Sequence, residues 1–396
     1  MSARSNPAKA QSSIAVIGID IGKNVFHVIG LDAHGAISLK AKVCRTQLAV
    51  RLANLPPCMI GMEACVGAHH LSRRLIALGH DARMMPAAYA RAFVKTNKND
   101  WRDAEGIAEA VQRPTMRFVA PKTTEQLDLQ ALHRVRERLV RNRTATVNEI
   151  RSFLLDRGIA VATGIQRLRR ALPEILATRA DELTPRMLRV IEGLTGDWRQ
   201  LDARIDEVTN EIERLAHDDA ACKTLMSVPG IGPIISSATV SAIGNGDMFE
   251  RGRDFGAWLG LVPQQRSTGG RTILGKISKR GNSYLRKLFV QGARSVLMKP
   301  ASWERYGLKP WIAAAQRRMH SNKLAVALAH KLARIAWSVL KHGRNFEFRS
   351  IHDHDCAQPA LGWRRARSRQ GVAWKCRDRV GGGATANLDE PSARRR

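Results

Sequence analysis

The chain has 396 residues, with 65 Lys and Arg against 35 Asp and Glu and a formal net charge of +30. This excess predicts a large anionic partner and favours nucleic acid over an acidic membrane surface. Aromatic residues make up only 5%, which argues against stacking on single-stranded bases as the main contact. The six cysteines form no C-x-x-C pair, so neither a zinc ribbon nor a disulfide framework is expected.

The segment 1–13 has no apolar core, and we predict a disordered N-terminus rather than a signal peptide. No uninterrupted apolar run approaches the roughly 20 residues that a membrane span needs. We therefore expect a cytoplasmic, nucleoid-associated protein without a membrane partner.

Residues 14–118 are predicted to form an α/β domain. Short β-branched runs at 14–21, 25–31 and 37–43 indicate three meandering strands. Helices and strands then alternate, with helices at 46–55, at 70–78 and from residue 100, and strands at 59–63 and 82–85. In this order the first strand can lie beside the strand at 59–63.

Four acidic residues stand at informative places in this domain. Asp20 and Glu63 lie near the ends of two apolar strands, which neighbouring strands would bring together. Asp100 and Asp103 share one helix face, because residues i and i+3 are neighbours. Four converging carboxylates repel one another unless divalent cations lie between them. Oxygen ligands suit Mg²⁺, with Mn²⁺ as the alternative.

A second interpretation needs no metal at the helical pair. Asp100 can be a helix N-cap, and Asp103 can interact with the helix dipole. Asp20 favours the metal site, because an acid in a buried apolar strand is costly unless it is paired or binds a metal ion.

The middle region, 119–220, is predicted to be helical and charged. Its second part carries a heptad repeat of apolar residues, which is typical of a coiled coil. An antiparallel helical pair and a dimerising coiled coil both fit. The repeat comprises Leu194, Trp198, Leu201, Ile205, Val208, Ile212 and Leu215.

The third region, 221–345, opens with V-P-G-I-G, which indicates a helix-hairpin-helix-like element or a plain tight turn. In the first case Gly230 and Gly232 let the backbone approach a phosphate at a helix N-terminus. Further along, Ser267 and Thr268 precede two glycines in a predicted flexible loop. The basic residues predicted to bind nucleic acid are Lys95, Lys98, Arg266, Arg271, Lys276, Lys279, Arg280, Arg286 and Lys287.

The hydroxyl loop has two interpretations. It can supply a nucleophile, or it can be a basic loop that only contacts backbone phosphates. The H-D-H-D-C run at 352–356 has metal-ligand residue types, but a metal site there is not favoured. The tail 346–396 is rich in Arg and Gly, so we predict disorder and added nonspecific affinity for nucleic acid.

Several stretches together resemble transposases of the insertion sequence 110 family, nearer the 1111 subgroup, known as DEDD transposases. They are G-I-D-I-G-K around Asp20, G-M-E-A-C around Glu63, N-K-N-D-W-R-D-A around the helical acids, V-P-G-I-G-P, and G-L-V-P with S-T-G-G and L-G-K-I-S-K-R-G-N-S-Y-L-R. The resemblance covers 14–345, and the order of the stretches makes it specific.

The resemblance implies an RNase H-like N-terminal domain, similar to Holliday-junction resolvases, whose four acids hold Mg²⁺. It implies a mainly α C-terminal transposase domain with a serine nucleophile, for which Ser267 is favoured and Thr268 stays an alternative. It also implies a homo-oligomer, a dimer or tetramer, in which the serine of one subunit meets the acids of another. A structured guide RNA would pair with element-end and target DNA.

Three functions follow as hypotheses. The leading one is an RNA-guided DNA recombinase that moves its own insertion sequence through a covalent serine–DNA intermediate. The second is a junction-selective endonuclease that uses water. The third is a non-enzymatic scaffold that binds nucleic acid.

Overall fold

The computed structural model describes residues 14–94 and 99–348. The described residues up to Glu347 form one compact unit, and all elements given below belong to it. Lys95 and Lys98, the predicted disordered N-terminus, the 352–356 run and the chain from residue 349 lie outside the described residues.

A five-stranded sheet has the order β3-β2-β1-β4-β5. Strand β1 pairs antiparallel with β2 and parallel with β4, and β4 pairs parallel with β5. The predicted neighbourhood of the first strand and the strand that carries Glu63 is therefore confirmed. The strands are β1 Val16–Ile21, β2 Val25–Leu31, β3 Ile37–Cys44, β4 Met59–Glu63 and β5 Asp81–Met85.

Helices cover both faces of this sheet. On one face α1 and α2 bury Leu48, Leu52 and Leu75 against the strands. On the other face α4 buries Ala104 and Ile107. The N-terminal part is thus a mixed α/β layer structure, compatible with an RNase H-like domain. Its helices are α1 Arg45–Ala53, α2 Ala68–Ala77, the short α3 Ala87–Ala90 and α4 Asp100–Val111.

Two long helices follow, α5 Thr124–Leu155 and α7 Pro185–Asp218, joined through α6 Ile165–Thr178. They pack antiparallel within the chain, because the Arg136–Thr209 hydrogen bond and the Arg143–Asp202 ion pair have opposite orders along the two helices. The predicted heptad residues Trp198, Ile205 and Ile212 are buried, whereas Leu201, Val208 and Leu215 are half-buried. The repeat therefore serves packing inside the chain, and a dimerising coiled coil stays a prediction.

The C-terminal region is mainly helical around a core that includes Phe255, Phe289 and Leu328. Helix α5 joins this region through the buried His133, whose ring lies 3.1 Å from Tyr284 Oη and 3.1 Å from Ser237 Oγ. Burial lowers the pKa of His133 to about 4. The elements are α8 Ala220–Met226, α9 Pro233–Ile243, α10 Gly252–Trp258, β6 Pro263–Thr268, β7 Arg271–Ile277, α11 Ser283–Leu297, α12 Ser302–Arg305, α13 Lys309–Gln316 and α14 Ser321–His342. Among the described helices, none is both long and apolar enough to cross a membrane.

Candidate active site

In both G-I-D and G-M-E, the glycine allows a helix to pack closely on the strand that carries the acid. A Cβ added at Gly18 of β1 would overlap the backbone of α4 at Ala104, and one at Gly61 of β4 would lie 2.8 Å from Val111 Cβ. Both glycines therefore let α4 lie directly on the sheet. Because alternate strand residues face the same side, Asp20 and Glu63 lie on this same face, two residues beyond each glycine.

Replacing Gly18 with alanine is expected to destabilise the protein by about 3 kcal/mol, because the backbone of α4 must shift. The shift would also displace the acids that α4 carries. Urea unfolding measures the effect, with Gly193→Ala as the control, since no atom lies within 4 Å of a Cβ at Gly193. That helical control should gain up to about 1 kcal/mol. Equal stability of Gly18→Ala and the wild type would contradict this packing.

Asp20 and Asp100 do converge, together with a histidine that the sequence analysis missed. Asp20 pairs with His27 across β1 and β2, and His27 Nδ1 lies 3.6 Å from Asp100 Oδ2. One ligand atom from each of Asp20, His27 and Asp100 lies within 4.8 Å of the other two. Among the described residues, this is the one group of three or more His, Cys, Asp or Glu side chains whose ligand atoms lie within 4.8 Å of one another.

Glu63 stands next to this cluster. The last printed pair of β1 and β4 is Ile19 with Met62, so Asp20 and Glu63 follow at the same end of the sheet. The thiol of Cys65 is a local indicator of both charges, because its pKa is raised first by burial and then by the carboxylates of Glu63 and Asp20. Asp103 lies one turn along α4 from Asp100, outside the group within 4.8 Å.

The capping interpretation of Asp100 is wrong. Asn99 caps α4, because its side chain accepts a hydrogen bond of 2.9 Å from the backbone nitrogen of Trp101. Asp100 is the first helical residue, and its side chain is 59% exposed. An aspartate at this position is favourable to the helix dipole, and its carboxylate faces His27 instead of satisfying the helix end.

The donor set fits a divalent cation. Two carboxylates and one imidazole meet where the C-terminal end of β1, the neighbouring strand β2 and the N-terminus of α4 come together. Such donors bind Mg²⁺, Mn²⁺ and related ions. Arg45 is the cation that braces this edge, because it donates to the carbonyls of Gly22 and Lys23 at 2.8 Å and 2.9 Å. It thereby holds the turn between β1 and β2 that sets His27 opposite Asp20.

The predicted flexible loop around Ser267 is a β-hairpin instead. Ser267 and Thr268 end β6, and Ser267 pairs with Thr272 of β7. Gly269 and Gly270 form the two-residue turn, both at positive φ, which suits the tight turns of hairpins. The Nε2 of Gln265 donates a 2.8 Å hydrogen bond to Ser267 Oγ. Every residue of β6 is exposed.

The predicted basic residues that the structure describes divide into two groups. Two have partners in the protein, since Arg286 donates to the carbonyls of Leu259 and Arg280, and Lys287 is ion-paired with Glu137 at 2.6 Å. The others are exposed on the hairpin or just beyond it, and they are Arg266, Arg271, Lys276, Lys279 and Arg280.

The two predicted glycines of the V-P-G-I-G turn differ. Gly230 has a φ of +75°, and an added Cβ would lie 2.5 Å from the carbonyl oxygen of Gly292, so packing against α11 explains it. Gly232 precedes α9 and has open space around it. A role of either glycine at a phosphate stays a prediction.

A basic cleft lies elsewhere on the C-terminal region and was missed by the sequence analysis. Arg251 and Arg253 precede and begin α10, and Lys331 and Arg334 lie on α14 across from them. Burial and the nearby Arg334 lower the pKa of Lys331, which indicates cations held close together. The sequence shows only that Lys331 and Arg334 are spaced to lie on one side of a helix. Their proximity to Arg251 and Arg253 is visible only in the tertiary structure.

Comparisons with known families give the site its context. A DEDD-type transposase model matches residues 17–157, and a model described as the transposase IS116/IS110/IS902 family matches residues 222–307. The fold, the acidic sheet edge and these two matches define a transposase, an enzyme that cleaves DNA strands and transfers them. A DEDD domain also implies the use of a divalent metal ion.

Relatives that match over most of their length identify the family of transposases. The chain is 43% identical over 336 residues to the transposase for insertion sequence element IS1328 of Yersinia enterocolitica, covering 84% of this chain and 99% of the relative. It is 38% identical over 333 residues to the transposase for IS1111A of Coxiella burnetii, covering 84% and 91%. The chain belongs to the IS110/IS116/IS902 family of transposases. The family resemblance seen in the sequence is confirmed, and the non-enzymatic scaffold is excluded.

A more distant relative is the pilin gene-inverting protein of Moraxella bovis. It is 24% identical over 271 residues, which cover 67% of this chain and 73% of that protein.

Proposed function

We propose that this transposase cuts and rejoins DNA with a metal site at Asp20, Glu63, Asp100 and Asp103 and a serine nucleophile at Ser267. The single observation that carries the metal site is the convergence of Asp20 and Asp100 with His27 within 4.8 Å. Bound Mg²⁺ would neutralise the phosphate and polarise its phosphorus–oxygen bonds.

The serine step exchanges one phosphate ester for another. Ser267 Oγ bonds to the phosphorus, the bond from phosphorus to the neighbouring deoxyribose oxygen breaks, and the serine proton ends on that released oxygen. In the reverse sense, a deoxyribose hydroxyl attacks the phosphoserine, and Ser267 regains its proton. Because water does not hydrolyse the phosphate ester at either step, the strand can be rejoined to a new end.

Support for Ser267 comes from the hairpin. Its hydroxyl is exposed near the tip and accepts a hydrogen bond from Gln265, and its cross-strand partner is Thr272. Thr268 points to the other side of β6, since neighbouring strand residues alternate. Thr268 remains the second candidate, because it is also exposed and stands next to the turn.

We further propose that subunits combine their sites. An isolated two-stranded hairpin has little stability of its own in water, and this one exposes Ile273 and Leu274 by 49% and 65%. A hairpin of this kind fits a role in which it is covered by DNA and by the acidic edge of another subunit. A dimer or tetramer provides that arrangement.

The nucleic-acid partners follow from charge and family. Element-end and target DNA bind along the exposed cations of the hairpin and the basic cleft, and a structured guide RNA selects the sites. We propose three functional parts for these tasks: a catalytic domain at 14–118, a helical region at 119–220 and a transposase domain at 221–345. The Moraxella bovis relative is named a gene-inverting protein, and an inverted gene must be rejoined as well as cut, which supports recombination over simple cutting.

Removing divalent metal ions is expected to lower strand cleavage more than about 100-fold, because the carboxylates alone repel the phosphate. A plasmid with both element ends, the flanking RNA and purified protein are incubated with EDTA or with Mg²⁺, and products are separated on a gel. DNA affinity at fixed salt is the control and should stay unchanged. Cleavage at full rate in EDTA would contradict the proposal.

A further inference from the structure

We infer that His27 is a direct nitrogen ligand of the divalent cation at Asp20 and Asp100, and that it makes this transposase prefer Mn²⁺ over Mg²⁺. The inference rests on the metal site proposed above, and it adds a ligand that the four-acid pattern does not contain.

The position of His27 is fixed by strand pairing. It lies opposite Asp20 in the antiparallel pair of β1 and β2, so both side chains are on the face of the sheet that α4 covers. Its side chain is 13% exposed, and its Nδ1 lies 3.6 Å from Asp100 Oδ2. A ring nitrogen therefore lies within 4.8 Å of a carboxylate oxygen of both the strand acid and the helix acid.

The orientation of the ring is fixed as well. Trp101 meets the His27 ring edge to face, with centroids 4.7 Å apart. Lys40 Nζ lies 5.0 Å from the centroid of the same indole ring, which holds the indole in place by a cation–π contact. The imidazole is thus held in one orientation, with Nδ1 towards the carboxylate of Asp100.

The chemistry of the donor decides the ion. Mg²⁺ takes oxygen ligands in a strict octahedron and keeps several waters. Imidazole suits transition metals, and Mn²⁺ accepts it beside carboxylates more readily than Mg²⁺ does. Exchanging one oxygen for a nitrogen therefore lowers Mg²⁺ affinity relative to Mn²⁺ affinity.

A purely structural role makes a different prediction. If His27 only pairs with Asp100 and packs on Trp101, its replacement changes the affinity for both ions by the same factor. If it is a ligand, the replacement weakens Mn²⁺ binding selectively. The ratio of the two affinities separates these roles.

The test uses the full chain and the metal ions alone, without DNA. Mn²⁺ affinity is measured from the electron paramagnetic resonance signal of free Mn²⁺, and Mg²⁺ affinity is measured by competition. We expect His27→Gln to weaken Mn²⁺ binding about tenfold and to change Mg²⁺ binding by less than about twofold. His34→Gln, at an exposed turn of the same domain, should change neither.

A spectroscopic measurement shows the bond itself. Electron spin echo envelope modulation of bound Mn²⁺ should contain a ¹⁴N signal in the wild type and lose it in His27→Gln. Thermal unfolding without metal shows whether the variant is folded. No ¹⁴N signal in the wild type, or an equal loss of both ions in the variant, would overturn the inference.

The failure of this inference is distinct from failure of the proposed metal site. Asp20→Asn should abolish binding of both ions. If it does, while His27→Gln leaves the ratio unchanged, the acids hold the metal and only the role of His27 is wrong. If Asp20→Asn binds both ions as the wild type does, the metal site itself is wrong.

Discussion

Asp20→Asn is expected to lower the rate of element-end cleavage by about 10³-fold, while DNA affinity stays within about twofold. The carboxylate is lost from the cluster with His27 and Asp100, where it lies opposite His27 and at the same end of the sheet as Glu63. A metal ion contributes several kcal/mol of charge stabilisation to phosphoryl transfer, and each 1.36 kcal/mol corresponds to a factor of ten in rate. Single-turnover cleavage of labelled element-end DNA measures the loss.

The matched control for this substitution is Asp81→Asn. Asp81 begins β5 at the opposite end of the same sheet and forms an exposed ion pair with Arg83 at 2.6 Å. Exposed pairs of this kind contribute at most about 1 kcal/mol to stability, so cleavage should be unaffected. Asp20→Asn with the cleavage rate of the wild type would place the catalytic metal elsewhere.

Ser267→Ala is expected to abolish the covalent protein–DNA product completely, because Oγ is the atom that bonds to phosphorus. Thr268→Ala should retain the product. Both residues are exposed on β6, so neither substitution should change stability by more than about 0.5 kcal/mol. The product is detected as a labelled band of reduced mobility on a denaturing gel, with wild type and both variants run together.

The other outcomes of this experiment are equally informative. Loss of the product only in Thr268→Ala would assign the nucleophile to the threonine. Metal-dependent cutting by all three proteins without a covalent product would contradict the serine mechanism. That result would favour the junction-selective endonuclease that uses water.

The order of elements and the place of the strand acids could be predicted from the sequence. Short β-branched runs that end in Asp20 and Glu63 identify buried strands, and their alternation with helices makes the two strands neighbours. The approach of Asp100 to Asp20 was predicted only as a general convergence. Its physical cause, the missing side chains at Gly18 and Gly61 that admit α4, is visible in G-I-D and G-M-E once the packing is known.

His27 was missed because its role depends on register. One polar residue in an apolar strand is ambiguous until the turn between β1 and β2 fixes which residue faces Asp20, and that turn is held by Arg45 from a distant part of the chain. The hairpin at Ser267 was misinterpreted for a different reason. Two glycines between hydroxyl and basic residues indicate a tight turn as well as a loop, and the strand signal of β6 is weak.

The heptad repeat could be read from the sequence, but its packing partner could not. Its spacing predicts an apolar stripe on α7, but it does not name the partner helix. The register of Arg136 with Thr209 and of Arg143 with Asp202 makes α5 that partner. The choice depends on how α6 returns the chain, which no local pattern encodes.

If the end of the sheet at Asp20 holds the catalytic metal ions, X-ray diffraction from crystals soaked in Mn²⁺ will show them there. We expect an anomalous difference peak bounded by the side chains of Asp20, His27 and Asp100, and no such peak in crystals of Asp20→Asn. A Mn²⁺ peak at another site, with none beside Asp20 in the wild type, would show that the catalytic metal ions bind elsewhere.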